Sequence, residues 1–205
     1  MGLHQRKASQ QAQSITAQWW LPILLASIAV ILAMTADAGR EWLSFDRPAV
    51  SSGEIWRLLT GHFVHLGISH LLLNIAGLLL IWYLVGSVFD GRQWLLVLMA
   101  VVIGVNLGLW VLEPQLLWYV GLSGLLHGLL AAGIVGSLRA PRIELLALCV
   151  ALAGKLAYEQ LLGPLPGSEE SSGGTVIVAA HLYGAIGGVI GAGLIMIRVR
   201  GQAAI

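Results

Sequence analysis

The sequence predicts an all-α membrane protein: a bundle of six transmembrane helices with both termini on the cytoplasmic side. Three observations carry this. Of 205 residues, 58% are hydrophobic and 10% charged, with a mean hydropathy of +0.85, more apolar surface than a soluble domain of this size can hide. Six apolar stretches approach the roughly 20 residues a helix needs to cross a hydrocarbon core of about 30 Å. Lysine and arginine divide unevenly between the two sides those stretches define.

The first span runs from about Trp19 to Met34, behind a polar tail, residues 1–18, that carries Arg6 and Lys7. The second runs from about His70 to Val88 and the third from Trp94 to about Leu112. A fourth begins near Ser123 and ends before Arg139, Pro141 and Arg142, where proline after charge stops and restarts a helix. The fifth covers about Ile143 to Leu162. A segment rich in Gly, Pro and Ser follows, and the sixth runs from about Val176 to Ile197. The membrane domain thus covers residues 19–198, with a short tail over 199–205. Arg6, Lys7, Arg92, Arg139, Arg142, Arg198 and Arg200 share the side of the N-terminus, against Arg40, Arg47 and Arg57 opposite, which places both termini in the cytoplasm. Trp19, Trp20, Trp94, Trp110 and Trp118 lie near span ends, as an interfacial aromatic belt requires.

The composition also excludes function classes. A net charge of +1 without clustered Lys and Arg gives no phosphate-binding surface, so no nucleic-acid partner is expected. The single cysteine, Cys149, lies in an apolar run, which leaves no disulfide framework and no cysteine metal site. Ala36-Asp37-Ala38 imitates a signal-peptidase site, but the polar stretch before the first apolar run is long for a signal peptide, so a retained first helix is expected.

Polar residues inside a membrane are costly, and each asks for a reason. Ser123, in Gly121-Leu122-Ser123-Gly124, opens the fourth span, so its hydroxyl sits beside unpaired backbone N–H groups at a helix N-terminus. Those groups would stabilise negative charge on a tetrahedral intermediate, and the flanking glycines let backbone approach a substrate carbonyl. Glycine and serine are also common packing residues between membrane helices. A serine nucleophile needs a base, and His181 lies just inside the sixth span. Both spans run in the same direction, which puts Ser123 and His181 at similar shallow depth. Gly184, Gly187, Gly188 and Gly191 would let the sixth helix pack closely on the fourth. His70 and Asn74, four residues apart, project from one face of the second span as two donors suited to an oxyanion hole, or as a pair bonded to each other. His62, His65 and His70 could be read as a metal site, but they lack an H-E-x-x-H pattern and an accompanying Cys or acid, so no metal is expected. Lys155 and Glu159, also four apart, read as a pair or as side chains that snorkel toward the outer interface, and Glu169 and Glu170 as a solvated loop.

These motifs, G-H-F-V-H-L-G-I-S-H-L-L-L-N over 61–74, G-L-S-G over 121–124 and A-H-L-Y-G over 180–184, in this order and on these spans, resemble the rhomboid intramembrane serine proteases. The resemblance covers about residues 19–198 and includes Trp56-Arg57, which resembles a structural pair in the family's first outer loop. It implies a rhomboid-like bundle without a cofactor, with Ser123 as nucleophile, His181 as general base, His70 and Asn74 as oxyanion donors, and Gly121, Gly124, His127 and Gly184 in support. At His127 the chain departs from the tyrosine that many members carry, and there it resembles the rhombosortase branch. That branch implies a multi-pass protein of a bacterial inner membrane, its active site opening to the periplasm. Its expected partners are the lipid bilayer and membrane-anchored substrates with glycine-rich C-terminal anchors. His127, one turn from Ser123, could pack against His181 or serve packing alone.

The resulting expectation is a dyad, because no acid is evident to orient His181. A substrate segment would enter laterally past the fifth helix and unwind, and water would enter near His62, His65 and His70. A rhomboid-like pseudoprotease that binds helices without cutting them is the alternative, against which the complete Ser, His and Asn set argues.

Overall fold

A computed structural model of the chain describes residues 19–138 and 143–203, residues 200–203 in backbone only. The expected N-terminal tail, residues 204–205 of the C-terminal tail, and the Arg139–Pro141–Arg142 stop lie outside the described residues. The elements in order are α1 (Trp20–Ala33), α2 (Ala36–Leu43), β1 (Phe45–Asp46), α3 (Arg47–Ser51), α4 (Arg57–Thr60), α5 (Ile68–Val85), α6 (Gly91–Leu112), β2 (Trp118–Tyr119), α7 (Ser123–Ser137), α8 (Ile143–Leu162), α9 (Ser168–Ser172) and α10 (Val178–Ala203).

Among the described residues, four helical segments are long and apolar enough to cross a membrane: Ile68–Val88, Gly91–Leu112, Ile143–Leu162 and Val178–Val199. The other two expected spans are shorter. α1 has 14 residues and meets α2 at a bend of 113°. α7 has 15 residues, about 22 Å by helical rise, less than a hydrocarbon core of about 30 Å. The expected all-α fold gains one small β element, a two-residue antiparallel ladder pairing Phe45 with Tyr119 and Asp46 with Trp118.

α7 is the centre of the bundle and packs against α5, α6, α8 and α10. Its Leu125, Leu129 and Ala132 are fully buried, whereas Leu80, Leu107, Leu161 and Leu194 on the surrounding helices turn outward, the inside-out pattern of helices in an apolar solvent. Glycine sets the approach of α10. A Cβ on Gly184 would overlap the Gly124 carbonyl, and one on Gly188 would overlap that of Gly128. Gly187 and Gly191 instead face Ala100 and Val97 of α6. The sequence assigned all four to the contact with the fourth span; the structure divides them between two neighbours, because positions three apart around a helix drift off one face.

The loops are tied by side chains that accept no ambiguity of register. Arg57 is buried and donates to the Glu41 and Ser44 carbonyls and to Glu54, in keeping with a structural role for Trp56-Arg57. Arg47 donates to the carbonyls of Leu109, Trp110, Glu113 and Leu116, which closes the unsatisfied C-terminus of α6. Trp94 corrects the aromatic-belt expectation. It is 1% exposed, donates to the Gly86 carbonyl at 2.8 Å and packs edge-on against Phe89, so it belongs to the core.

Replacing Gly184 or Gly188 by alanine is expected to lower unfolding stability in detergent by about 1–3 kcal/mol, the usual range for overpacking. Gly154→Ala and Gly193→Ala, where a Cβ meets nothing within 4 Å, should be neutral or slightly stabilising. Thermal unfolding of the four purified variants measures the contrast.

Candidate active site

Every polar side chain singled out in the spans lies at one end of the bundle. Ser123 is the first residue of α7, and His181 is in the first turn of α10. Because Gly124 and Gly184 allow the two helices to touch directly beneath them, Ser123 Oγ and His181 Nε2 come within 2.9 Å. His181 is 4% exposed. The ring of His127 stacks on it, with centroids 4.1 Å apart and planes 14° from parallel. His127 Nδ1 donates to the Ser123 carbonyl at 2.7 Å, so His127 makes the packing contact with His181 that its spacing allowed, without a hydrogen bond between the two rings.

On the other ring nitrogen the expectation fails. His181 Nδ1 lies 2.8 Å from Glu159 Oε2, and Lys155 forms an ion pair with the other carboxylate oxygen. The expected dyad has no acid to orient His181, and Lys155 and Glu159 are expected to pair with each other or to reach the outer interface. In the structure Glu159 turns into the bundle, its side chain 2% exposed against 31% for Lys155. The available signal was an acid in an apolar helix, one turn from its end, at a depth where ionisable groups have a purpose.

His70 and Asn74 do share a face at the head of α5, as the i, i+4 spacing predicts, and the structure does not join them to each other. The Leu66 N–H points at His70 Nδ1 at 3.4 Å, which leaves the proton on Nε2. Asn74 Nδ2 is buried with no hydrogen-bond partner among the described residues. Both tips border Gly121: a Cβ there would lie 2.8 Å from His70 Cε1 and 3.9 Å from Asn74 Nδ2. Gly121 has φ +117°, a conformation strained for any residue with a side chain. Tyr119 fixes it further by donating to its carbonyl at 2.7 Å, and its own N–H donates to the Gly61 carbonyl at 3.0 Å. Neither Tyr119 nor Asn106, which reaches the Leu58 and Val102 carbonyls and His62 Nε2, stood out in the sequence, since Tyr119 precedes the span and Asn106 has no patterned partner.

The Rhomboid domain profile matches residues 52–198, well over half of the chain and all of the helices that build this site. The chain belongs to the rhomboid family. It is also similar, at 31% identity over 116 residues, to the Bacillus subtilis (strain 168) protein named "Putative rhomboid protease YdcA". That similarity covers 57% of this chain and 55% of the relative, so the chain spans about half the length of the curated relative it matches. Family membership and the apolar helices together make this rhomboid a multi-pass membrane protein.

Among the described residues of this rhomboid, His127, Glu159 and His181 offer ligand atoms within 4.8 Å of one another. Imidazole lone pairs lie in the ring plane, and two stacked rings keep theirs in separate parallel planes, so the two nitrogens do not converge on one ion. The His62–His65–His70 cluster does not converge either. His62 faces Asn106 and the edge of Tyr119, while His65 meets His70 ring to ring at 4.9 Å.

His62 and His65 lie in the loop ahead of α5, and burial pushes both well below the ordinary histidine value of 6.5, to about 4. Nearby His70 lowers His65 further, against a smaller opposing effect of the Phe63 carbonyl. The unfolded chain takes up protons below pH 6.5 that the folded chain refuses until about pH 4, so stability is full above 6.5 and lost as pH falls through that window. Unfolding temperature in detergent should therefore fall between pH 6.5 and 4, and His62→Leu should flatten the slope; an equal slope in both proteins would contradict the assignment.

Proposed function

We propose that this rhomboid is an intramembrane serine endopeptidase acting on membrane-anchored proteins. The observation that carries the reading is the 2.9 Å contact between Ser123 Oγ and His181 Nε2 inside a lipid-facing bundle. In this reading a substrate segment unwinds at the site end and presents a carbonyl to Ser123. The Oγ–carbon bond forms as the hydroxyl proton passes to His181 Nε2, and the carbonyl electron pair moves to oxygen. The Ser123 N–H, His70 Nε2–H and Asn74 Nδ2 are the donors proposed for that oxygen. The unpartnered, buried state of Asn74 Nδ2 supports this role, because a donor held without a partner is ready for a charge that appears only in the reaction. His181 then protonates the leaving amine, the C–N bond breaks, and water hydrolyses the acyl-enzyme. His62 Nδ1 and His65 Nε2, also buried and unpartnered, fit a water route into the site.

Several finer assignments follow from the same reading. The chain crosses the membrane six times, with α1 and the short α7 as first and fourth crossings. The tails at 1–18 and 199–205 are cytoplasmic and flank the domain at 19–198. The short α7 supports an active site sunk below the outer surface, open to the periplasm of a bacterial inner membrane. His127 supports the rhombosortase branch and substrates with glycine-rich C-terminal anchors, since glycine weakens helical pairing and exposes the scissile carbonyl.

The test is cleavage, in membranes, of a reporter carrying a glycine-rich hydrophobic C-terminal anchor. Wild type should cut it, while Ser123→Ala and His181→Ala should lose at least about 10³-fold in rate. Cutting of a generic transmembrane reporter alone would keep the protease and remove the branch assignment. Failure to cut either would favour a helix-binding pseudoprotease.

A further inference from the structure

We propose that Glu159, held by Lys155, is the positioning residue of His181, so that Ser123, His181 and Glu159 work as a triad. This rests on the serine-protease reading above and deepens it. Three features carry it. First, the carboxylate reaches the ring nitrogen that faces away from the serine: His181 Nδ1 is 2.8 Å from Glu159 Oε2 and Nε2 is 2.9 Å from Ser123 Oγ. An ionised carboxylate only accepts, so the proton must sit on Nδ1, and the lone pair of Nε2 is left aimed at the hydroxyl it has to deprotonate.

Second, the acid is the buried member of its pair. A helix-surface Lys–Glu pair keeps both heads near water, but here the glutamate enters the bundle and only the lysine stays partly exposed. Leu145 and Glu159 are the buried residues of α8, so a carboxylate occupies one of the few places where that helix meets the core. Lys155 supplies the compensating charge that makes a buried carboxylate tolerable.

Third, the chemistry creates a cation where little else would hold it. When His181 takes the serine proton it becomes an imidazolium at 4% exposure. The groups facing it are the ring of His127 and Ser123 from α7, Lys155 and Glu159 from α8, and His70 from α5. Of these, Glu159 alone is an anion. It stays ionised throughout: the proton travels from Ser123 Oγ to His181 Nε2 and on to the leaving amine, and Glu159 neither gains nor loses one.

The experiment pairs a structural readout with kinetics. Nitrogen-15 NMR of histidine-labelled wild type should show His181 neutral with its proton on Nδ1, whether or not a substrate is cut. Glu159→Gln should lose about 10²–10⁴-fold in kcat with KM within about threefold of wild type. The acid limb of its kcat/KM profile should move to lower pH, because removing the anion disfavours the imidazolium, and Glu159→Asp should recover part of the rate. A wild-type His181 protonated on Nε2 would overturn the proposal. So would Glu159→Gln with kcat within threefold of wild type and an unmoved profile, or a rate loss that only mirrors a loss of folded protein. If wild type cuts nothing, the protease reading fails while the tautomer still decides the positioning role.

Discussion

The contact on which the rest depends is the near-touching backbones of α7 and α10. Gly124 against Gly184, and Gly128 against Gly188, leave no room for a single methyl group between the helices. In lipid, two apolar surfaces gain little by leaving the solvent, so helices associate through packing and through whatever polar groups the close approach lets meet. Here the approach delivers Ser123 to His181. A wider separation would strand a hydroxyl and an imidazole in an apolar bundle, each short of a partner, so packing and chemistry are set by the same four glycines.

The polar network at that end is also structural. α8 is the least embedded of the four long helices, with Leu145 and Glu159 its buried residues. Its site end is tied by Glu159 to His181 and by Gln160 to the Val178 carbonyl. The helix is thus anchored at the end of the bundle where Ser123 meets His181. Gly121 plays a comparable double part on the other flank, where its left-handed backbone turns the chain into α7 and leaves open the space that His70 and Asn74 border.

What was legible in the sequence divides along physical lines. Periodic and compositional features were read well: the positions of the long helices, the opening of α7 at Ser123, and the shared face of His70 and Asn74. These depend on local spacing, which the chain carries explicitly. Contacts between distant segments were not legible. Glu159 sits 22 residues before His181 across a loop, and its i, i+4 lysine offered a complete local explanation that hid the nonlocal one. Arg47 capping α6 and Tyr119 holding Gly121 escaped for the same reason, since no pattern within one segment points to them. Trp94 was misplaced because nearness to a span end fits an interfacial and a core tryptophan equally.

The central claim is that Ser123 is a nucleophile activated by His181. The most direct test is mass spectrometry of the purified protein after treatment with a fluorophosphonate, which forms a stable ester with an activated serine. The account predicts a single adduct on Ser123, absent in Ser123→Ala and lost or slowed at least about 10²-fold in His181→Ala. Equal labelling of Ser123 with and without the histidine, or none in folded wild-type protein, would contradict it.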